Sequence, residues 1–187
     1  FTPRNSERVA GPLRVVYFGS ISIRKGVYHL LEATKHFASD EVELTLIGDV
    51  DASLRPVLLD YSHVNLLPSM PHTKLAPFLK TQDVFVCPSI EDGFGFVVPQ
   101  AMASGLVPIV STAAGSSELI RNGENGFVIP SNSAAIHHAL SQLIDKPDCL
   151  NSMRKNVLNS TNDLSWERYT RNFTHWINQI LTKESNH

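Results

Sequence analysis

VFVCPSIEDGFGFVVPQAMASG, residues 84–105, holds a strand, a loop and a helix in immediate succession. The apolar run at 84–87 reads as a buried strand. Residues 88–95 form a turn-rich acidic loop containing Gly93, Phe94 and Gly95. From Phe96 onward, Val97, Val98, Ala101 and Met102 recur at helical spacing, and Gly105 ends the helix. A strand, a Gly-x-Gly loop and a helix N-terminus together can turn backbone N–H groups toward an anion. The carboxylates Glu91 and Asp92 stand at the mouth of the loop. Gln100 follows Asp92 by eight residues, about two turns into the helix.

Working outward, strand and helix alternate. The apolar run at 15–18 ends in Gly19 and reads as the first strand. A loop follows, then a helix over 26–37 with Val27, Leu30, Leu31 and Phe37 on one face. A second strand is expected at 42–48, a short helix at 51–60 with Asp51 as N-cap, and a third strand at 64–67. A helix over 73–80, capped by His72 or Thr73, leads into the quoted stretch. Beyond it come a fifth strand at 107–110, a turn or two of helix at 116–121, and a turn at 122–126. A sixth strand at 127–129 and helices at 133–144, 148–159 and 166–182 complete the chain.

Strands that are apolar throughout belong in a parallel sheet covered on both faces. The expected fold class is α/β, a Rossmann-like three-layer α/β/α arrangement. Its six-stranded parallel sheet should run 3-2-1-4-5-6 with right-handed crossovers. That order makes strands one and four neighbours at the switch point, beyond whose C-terminal ends ligands bind. It therefore brings loop 19–26 beside loop 88–95.

The two loops are chemically complementary. The first carries Arg24, Lys25 and Gly26 at a helix start, and the second carries Gly93-Phe94-Gly95 before another. Two cationic side chains and two helix N-termini suit a bridging diphosphate, at ~1.5–3 kcal/mol for each charge-assisted contact. G-x-G-x-x-G is missing after the first strand, and so is the P-loop order, because lysine here precedes glycine. A nicotinamide or P-loop enzyme is not expected.

Composition narrows the classes further. The chain has 187 residues and is 42% hydrophobic, enough for one domain with a full core. Sixteen basic and eighteen acidic residues leave a formal charge of −2, so a broad nucleic-acid or anionic-membrane face is not expected. No apolar run approaches the roughly 18 residues of a membrane helix. Two cysteines, Cys87 in a strand and Cys149 in a polar turn, make no disulfide framework and suit a reducing compartment. The eight histidines show no metal-ligand spacing, and His137 and His138 read as a solvated surface pair. Two sequons, at Asn159 and Asn172, are short enough to occur by chance. The last helix presents Tyr169, Phe173, Trp176, Ile177, Ile180 and Leu181 on one side. Core packing is the simpler reading; docking on something outside the chain is the other.

FGSISIRKGVYHLLEA, EDGFGFVVPQAMASGLVPIVSTAAGSSELI, NGENGFVIP and LSWERY together resemble the C-terminal, donor-binding domain of a GT-B fold glycosyltransferase. The group resembled is the large retaining family 4. The resemblance runs from about Arg14 to the last helix. It implies that Lys25, with Ser20 and Arg24 nearby, meets a donor diphosphate. Gly93, Phe94 and Gly95 would line the donor site, and Asp92, with Glu91 beside it, would face the donor sugar as the catalytic position. Gln100 would meet the ribose, and Met70, within 68–72, would lie near the base. The family's usual pattern is glutamate, seven residues, glutamate; here it is Asp92 and Gln100. Gln100 keeps an acceptor oxygen and loses the charge. Many relatives have arginine where Ser20 stands, and Arg24 is the nearest substitute.

The same resemblance implies a half-enzyme. Residues 1–12 would be an interdomain linker remnant, 13–160 the nucleotide-sugar-binding domain, and 161–187 a helix crossing toward a missing N-terminal domain. The expected partners are a nucleotide sugar, that domain and an acceptor glycan, lipid or small molecule. No metal and no further cofactor are expected, and the isolated chain should be inactive in transfer. The setting would be cytoplasmic, with the full-length enzyme able to sit at the inner face of a membrane. Another GT-B sugar-nucleotide enzyme, such as an epimerase or a phosphorylase-like protein, is one alternative. A nucleotide-binding module without chemistry is the other.

Overall fold

The computed structural model describes residues 1–3, 11–161 and 166–184. Most of the expected linker therefore lies outside the described residues, as does the start of the LSWERY segment. Six strands, β1 (Leu13–Phe18), β2 (Val42–Ile47), β3 (Asn65–Leu67), β4 (Val84–Cys87), β5 (Val107–Ser111) and β6 (Phe127–Ile129), form one sheet in the order β3-β2-β1-β4-β5-β6. All pairings are parallel. The helices are α1 (Val27–Thr34), α2 (Arg55–Leu58), α3 (His72–Leu79), α4 (Val97–Ala103), α5 (Ser133–Asp145), α6 (Pro147–Thr161) and α7 (Trp166–Glu184), with a 3₁₀ turn at Gly115–Leu119.

The period of two along each strand divides the core between the sheet's faces. Val15 and Tyr17 of β1, Leu44 and Leu46 of β2, and Val84 and Val86 of β4 point to the side covered by α1 and α5. Val16 and Phe18, Ile47, and Phe85 and Cys87 point the other way, onto α3 and α4. Phe18 and Phe85 touch there with ring centroids 4.8 Å apart. Burial of each such side chain contributes roughly 1.5–3 kcal/mol, so two complete faces explain why both layers of helix are held. At the N-terminal edge, Arg14 clamps the first residues of β1 to the residue before β4. Its Nε and Nη2 donate to the two carboxylate oxygens of buried Asp83 at 3.0 and 3.1 Å. The opposite edge is thereby free to be built from loops.

Several local expectations need correction. Asp51 is not a helix cap: its Oδ1 accepts from the Ser53 N–H and hydroxyl at 2.9 and 2.5 Å, closing a turn. The helix waits until Arg55, with Pro56 in its first turn. Neither His72 nor Thr73 caps α3, which begins at His72 after an extended Pro71. Cys149 lies inside α6 and packs on the core instead of sitting in a polar turn. His137 is no solvated partner of His138. It stacks on Phe37 at 4.4 Å, and its Nδ1 lies 3.1 Å from the Ala33 carbonyl, tying α5 to α1.

The aromatic face of α7 is not core either. Tyr169, Phe173 and Trp176 are about half exposed, and Ile180 and Leu181 are exposed as well. The rings stack along the helix on one another, Tyr169 on Phe173 at 6.0 Å and Phe173 on Trp176 at 6.4 Å. Among the described residues, no helix is long and apolar enough to cross a membrane.

Candidate functional site

Because β1 and β4 pair, the loops that leave their C-terminal ends lie side by side. Three successive contacts join them. The Ile90 N–H donates to the Arg24 carbonyl at 3.0 Å, Arg24 Nη1 to the Glu91 carbonyl at 3.3 Å, and Lys25 Nζ to Asp92 Oδ2 at 2.7 Å. Gly26 makes this approach possible. It has φ +67, and a Cβ there would lie 1.9 Å from the Pro88 carbonyl oxygen. No side chain fits between the start of α1 and the end of β4.

The loop at 88–95 is held from its other side as well. Ser111 Oγ donates to the Ser89 carbonyl and Ser131 Oγ to the Pro88 carbonyl, each at 2.6 Å. The Asp92 N–H donates to Ala113, and the N–H groups of Gly115 and Ser116 donate to the carbonyls of Gly93 and Phe94 at 2.9 and 2.8 Å. The backbone of the Gly-Phe-Gly turn thus offers its carbonyls to the protein. Among the described residues, the N–H groups of Gly93, Phe94, Gly95 and Phe96 meet no acceptor. They are the donors with which this edge can meet an anion.

Electrostatically, the site is less cationic than the sequence suggests. Lys25 and Asp92 are 18% and 13% exposed, and each neutralises the other. Sequence reasoning places them on different parts of a donor; the structure joins them directly. Arg24 is exposed at the rim, its guanidinium spent on a backbone carbonyl. Glu91 is exposed and Asp92 is partly buried against Lys25, so Asp92 is the carboxylate in the cradle. The α4 helix is only seven residues long and includes Pro99, so its dipole adds less than a long helix would.

The remaining expected residues lie around this pair. Ser20 is exposed at the end of β1, and its carbonyl accepts from Tyr17 Oη at 2.7 Å. Burial, then the nearby Cys87 and Asp92, push the Tyr17 phenol well above its ordinary pKa, so it stays protonated as that donor. Burial likewise raises the Cys87 thiol, which makes it a packing residue and not a nucleophile. Gln100 is half-buried on α4, and among the described residues its amide has no hydrogen-bond partner. Met70, after β3, packs against the cluster that contains Val98 and Ala101. Phe94 and Phe96 are exposed and meet edge to face at 5.1 Å.

Sequence reasoning misses the serines. Ser89 lies 3.4 Å from Asp92 Oδ2 and is fully buried; Ser111, Ser116 and Ser131 frame the same loop. The available signal is positional: small hydroxyl residues at or just past the ends of apolar parallel strands fall on the ligand edge.

The model of the family described as glycosyl transferases group 1 matches residues 12–146. The chain belongs to that family. Among curated relatives, it is 28% identical over 152 residues to the alpha-maltose-1-phosphate synthase of Mycolicibacterium smegmatis. That match covers 72% of this chain and 39% of the synthase, so the chain spans about two fifths of this relative. Two solved structures show the same fold. Sucrose-phosphate synthase from Thermosynechococcus elongatus superposes with a TM-score of 0.81 at 24% identity, over 92% of this chain and 46% of that one. Anabaena HepE in complex with UDP-glucose superposes with a TM-score of 0.76 at 21% identity, over 92% of this chain and 49% of HepE. This group 1 chain is thus a Rossmann-like unit of the kind found in GT-B glycosyltransferases, with Lys25 and Asp92 at its switch point.

Proposed function

We propose that this chain is the donor-binding half of a retaining, family 4 glycosyltransferase, which moves a sugar from a nucleoside-diphosphate donor to an acceptor hydroxyl. The observation that carries the reading is the meeting of Lys25 and Asp92, from the loops after β1 and β4, at 2.7 Å beside the unpaired N–H groups of the Gly-Phe-Gly turn. Lys25 takes the diphosphate, helped by those N–H groups, with Arg24 and Ser20 at the rim. Asp92 faces the donor sugar, with Glu91 outside it. The Gln100 amide accepts from and donates to ribose hydroxyls, and the base lies toward the Met70 loop.

In the reaction, the bond from the anomeric carbon to the diphosphate oxygen breaks. A bond to the acceptor oxygen forms, and the acceptor proton is released. The leaving diphosphate gains charge as that bond breaks, and donors already aimed at it stabilise this change most. Membership in glycosyl transferases group 1 supports the class, and UDP-glucose in the HepE structure supports a nucleotide-sugar donor. An N-terminal domain would supply the acceptor side, and α7 with its exposed aromatic face would reach back toward it. The setting is cytoplasmic, at the inner face of a membrane if the acceptor is a lipid.

Titration calorimetry with UDP, GDP and ADP tests this reading. At least one should bind, and Lys25→Ala should weaken it by roughly 1.5–3 kcal/mol, the range for a contact to a charged group. If the wild-type chain ignores all three, the donor-site reading is wrong. Equal affinity in the variant removes Lys25 from the diphosphate.

A further inference from the structure

Ser116 is the second residue of the 3₁₀ turn Gly115–Leu119 and is fully buried, yet its Oγ has no hydrogen-bond partner among the described residues. A buried hydroxyl left unpaired is unfavourable, and such exceptions call for a reason. Its backbone cannot shift easily, because the Ser116 N–H is already bonded to the Phe94 carbonyl at 2.8 Å. Its hydroxyl lies beside Gly95. A Cβ on Gly95 would meet Ser116 Oγ at 3.2 Å and Asp92 Oδ2 at 3.3 Å. Hydroxyl and carboxylate therefore both lie against the space where a Cβ on Gly95 would sit, and the glycine leaves that space open. They do not bond, because Asp92 Oδ2 is turned to Lys25 at 2.7 Å and to Ser89 at 3.4 Å.

A diphosphate changes that balance. If Lys25 engages it, as in the function proposed above, Asp92 loses its cation. A carboxylate only 13% exposed then keeps the longer Ser89 contact alone, and a charge so placed needs another donor. Ser116 is the idle donor beside it.

We propose that Ser116 is a positioning residue, whose hydroxyl takes up Asp92 when the diphosphate draws Lys25 away. The exchange keeps the carboxylate in place at the sugar while its countercharge is used elsewhere. This role rests on the donor-site reading, but its geometry can be tested without any ligand. Ser116→Ala in the wild-type background removes an unpartnered hydroxyl and should leave the melting temperature unchanged or raise it. In a Lys25→Met background Asp92 has already lost its cation, so the same Ser116→Ala change should now lower the melting temperature, by about 2–4 °C. A second arm uses UDP, GDP and ADP as probes. Ser116→Ala should weaken the one that binds by about three- to tenfold, with no loss of ligand-free stability.

The same melting shift from Ser116→Ala in both backgrounds overturns the exchange. So does unchanged nucleotide affinity in Ser116→Ala where the wild type binds, and then the donor site itself stands. A wild-type chain that binds none of the three nucleotides removes the donor site, and this role with it.

Discussion

Lys25 is held by Asp92, so an anion reaches it only by competition. The pair is partly buried, and its worth should exceed the ~0–1 kcal/mol usual at a fully exposed surface. Asp92→Asn removes the competitor while keeping the shape. The expected outcome runs against the intuition that a site residue helps binding: Asp92→Asn should bind whichever of UDP, GDP and ADP the chain takes more tightly, by roughly 1 kcal/mol. Added salt should narrow the difference, because the competing charges lie near solvent. Calorimetry showing equal or weaker binding in the variant would mean that the pair does not restrain Lys25. The identities of both residues are visible in the sequence, because each stands at the end of an apolar run in a loop that the strand order brings to one place. Their union is not visible. Loop proximity can be deduced, but the direction of a four-carbon side chain depends on packing that no motif encodes. Serines are harder still, since Ser89 and Ser116 look in sequence like ordinary loop residues.

At the scale of elements, the cradle exists because two loops approach to backbone contact at Gly26. Gly26→Ala combines two penalties. One is the positive φ, roughly 1–2 kcal/mol for a residue with a Cβ. The other is the Pro88 carbonyl oxygen, 1.9 Å from where that Cβ would be. Gly123 has a comparable φ of +80 but open space around it, so Gly123→Ala carries the first penalty alone. Chemical denaturation should therefore place Gly26→Ala below Gly123→Ala in stability. Nucleotide affinity should fall only in Gly26→Ala, because only there are the loops forced apart. Equal losses in the two variants would show that the loop contact contributes nothing of its own. The central strands and their order are legible because β1, β2, β4 and β5 are buried along nearly their whole length and read as apolar runs, and because crossover handedness leaves few orders to choose from; the short edge strand β3 is largely exposed. Helix starts are less legible. Asp51 can close a turn or cap a helix with the same oxygen; here it closes a turn, and the helix begins at Arg55 with Pro56 in its first turn. The amphipathic spacing of α7 reveals an apolar face without naming what covers it. His137 lies on a helix face that looks polar until Phe37, three residues past the end of α1, stacks on it.

For the molecule as a whole, folding and chemistry separate. Both faces of the sheet are covered by helices of this chain, and the core on each side is buried. The 187 residues should fold alone and bind a nucleoside diphosphate, because the groups proposed to hold the diphosphate and ribose lie on α4 and the loops after β1 and β4, and the base would face the loop after β3. Transfer asks for more. Donor and acceptor must be held in reacting geometry, and such positioning accounts for ~7–11 kcal/mol of a barrier. Exclusion of water by closure around the substrates is a further requirement. On the proposed reading, the surface that would hold the acceptor and close the cleft belongs to a partner domain. The exposed rim of Ile23, Ile90, Phe94 and Phe96 at the donor edge, and the aromatic face of α7, are apolar surfaces available to it. The expected result is a chain that binds UDP or another nucleoside diphosphate without measurable sugar transfer. Supplying the N-terminal domain, fused or in trans, should restore transfer and reduce the exposure of Trp176, which intrinsic fluorescence reports. The measurement that decides is product formation from a matched nucleotide sugar and acceptor, with and without that domain. Turnover by the 187-residue chain equal to that of the two-domain protein would place the whole active site within β1 to α7, and the half-enzyme reading would have to be abandoned.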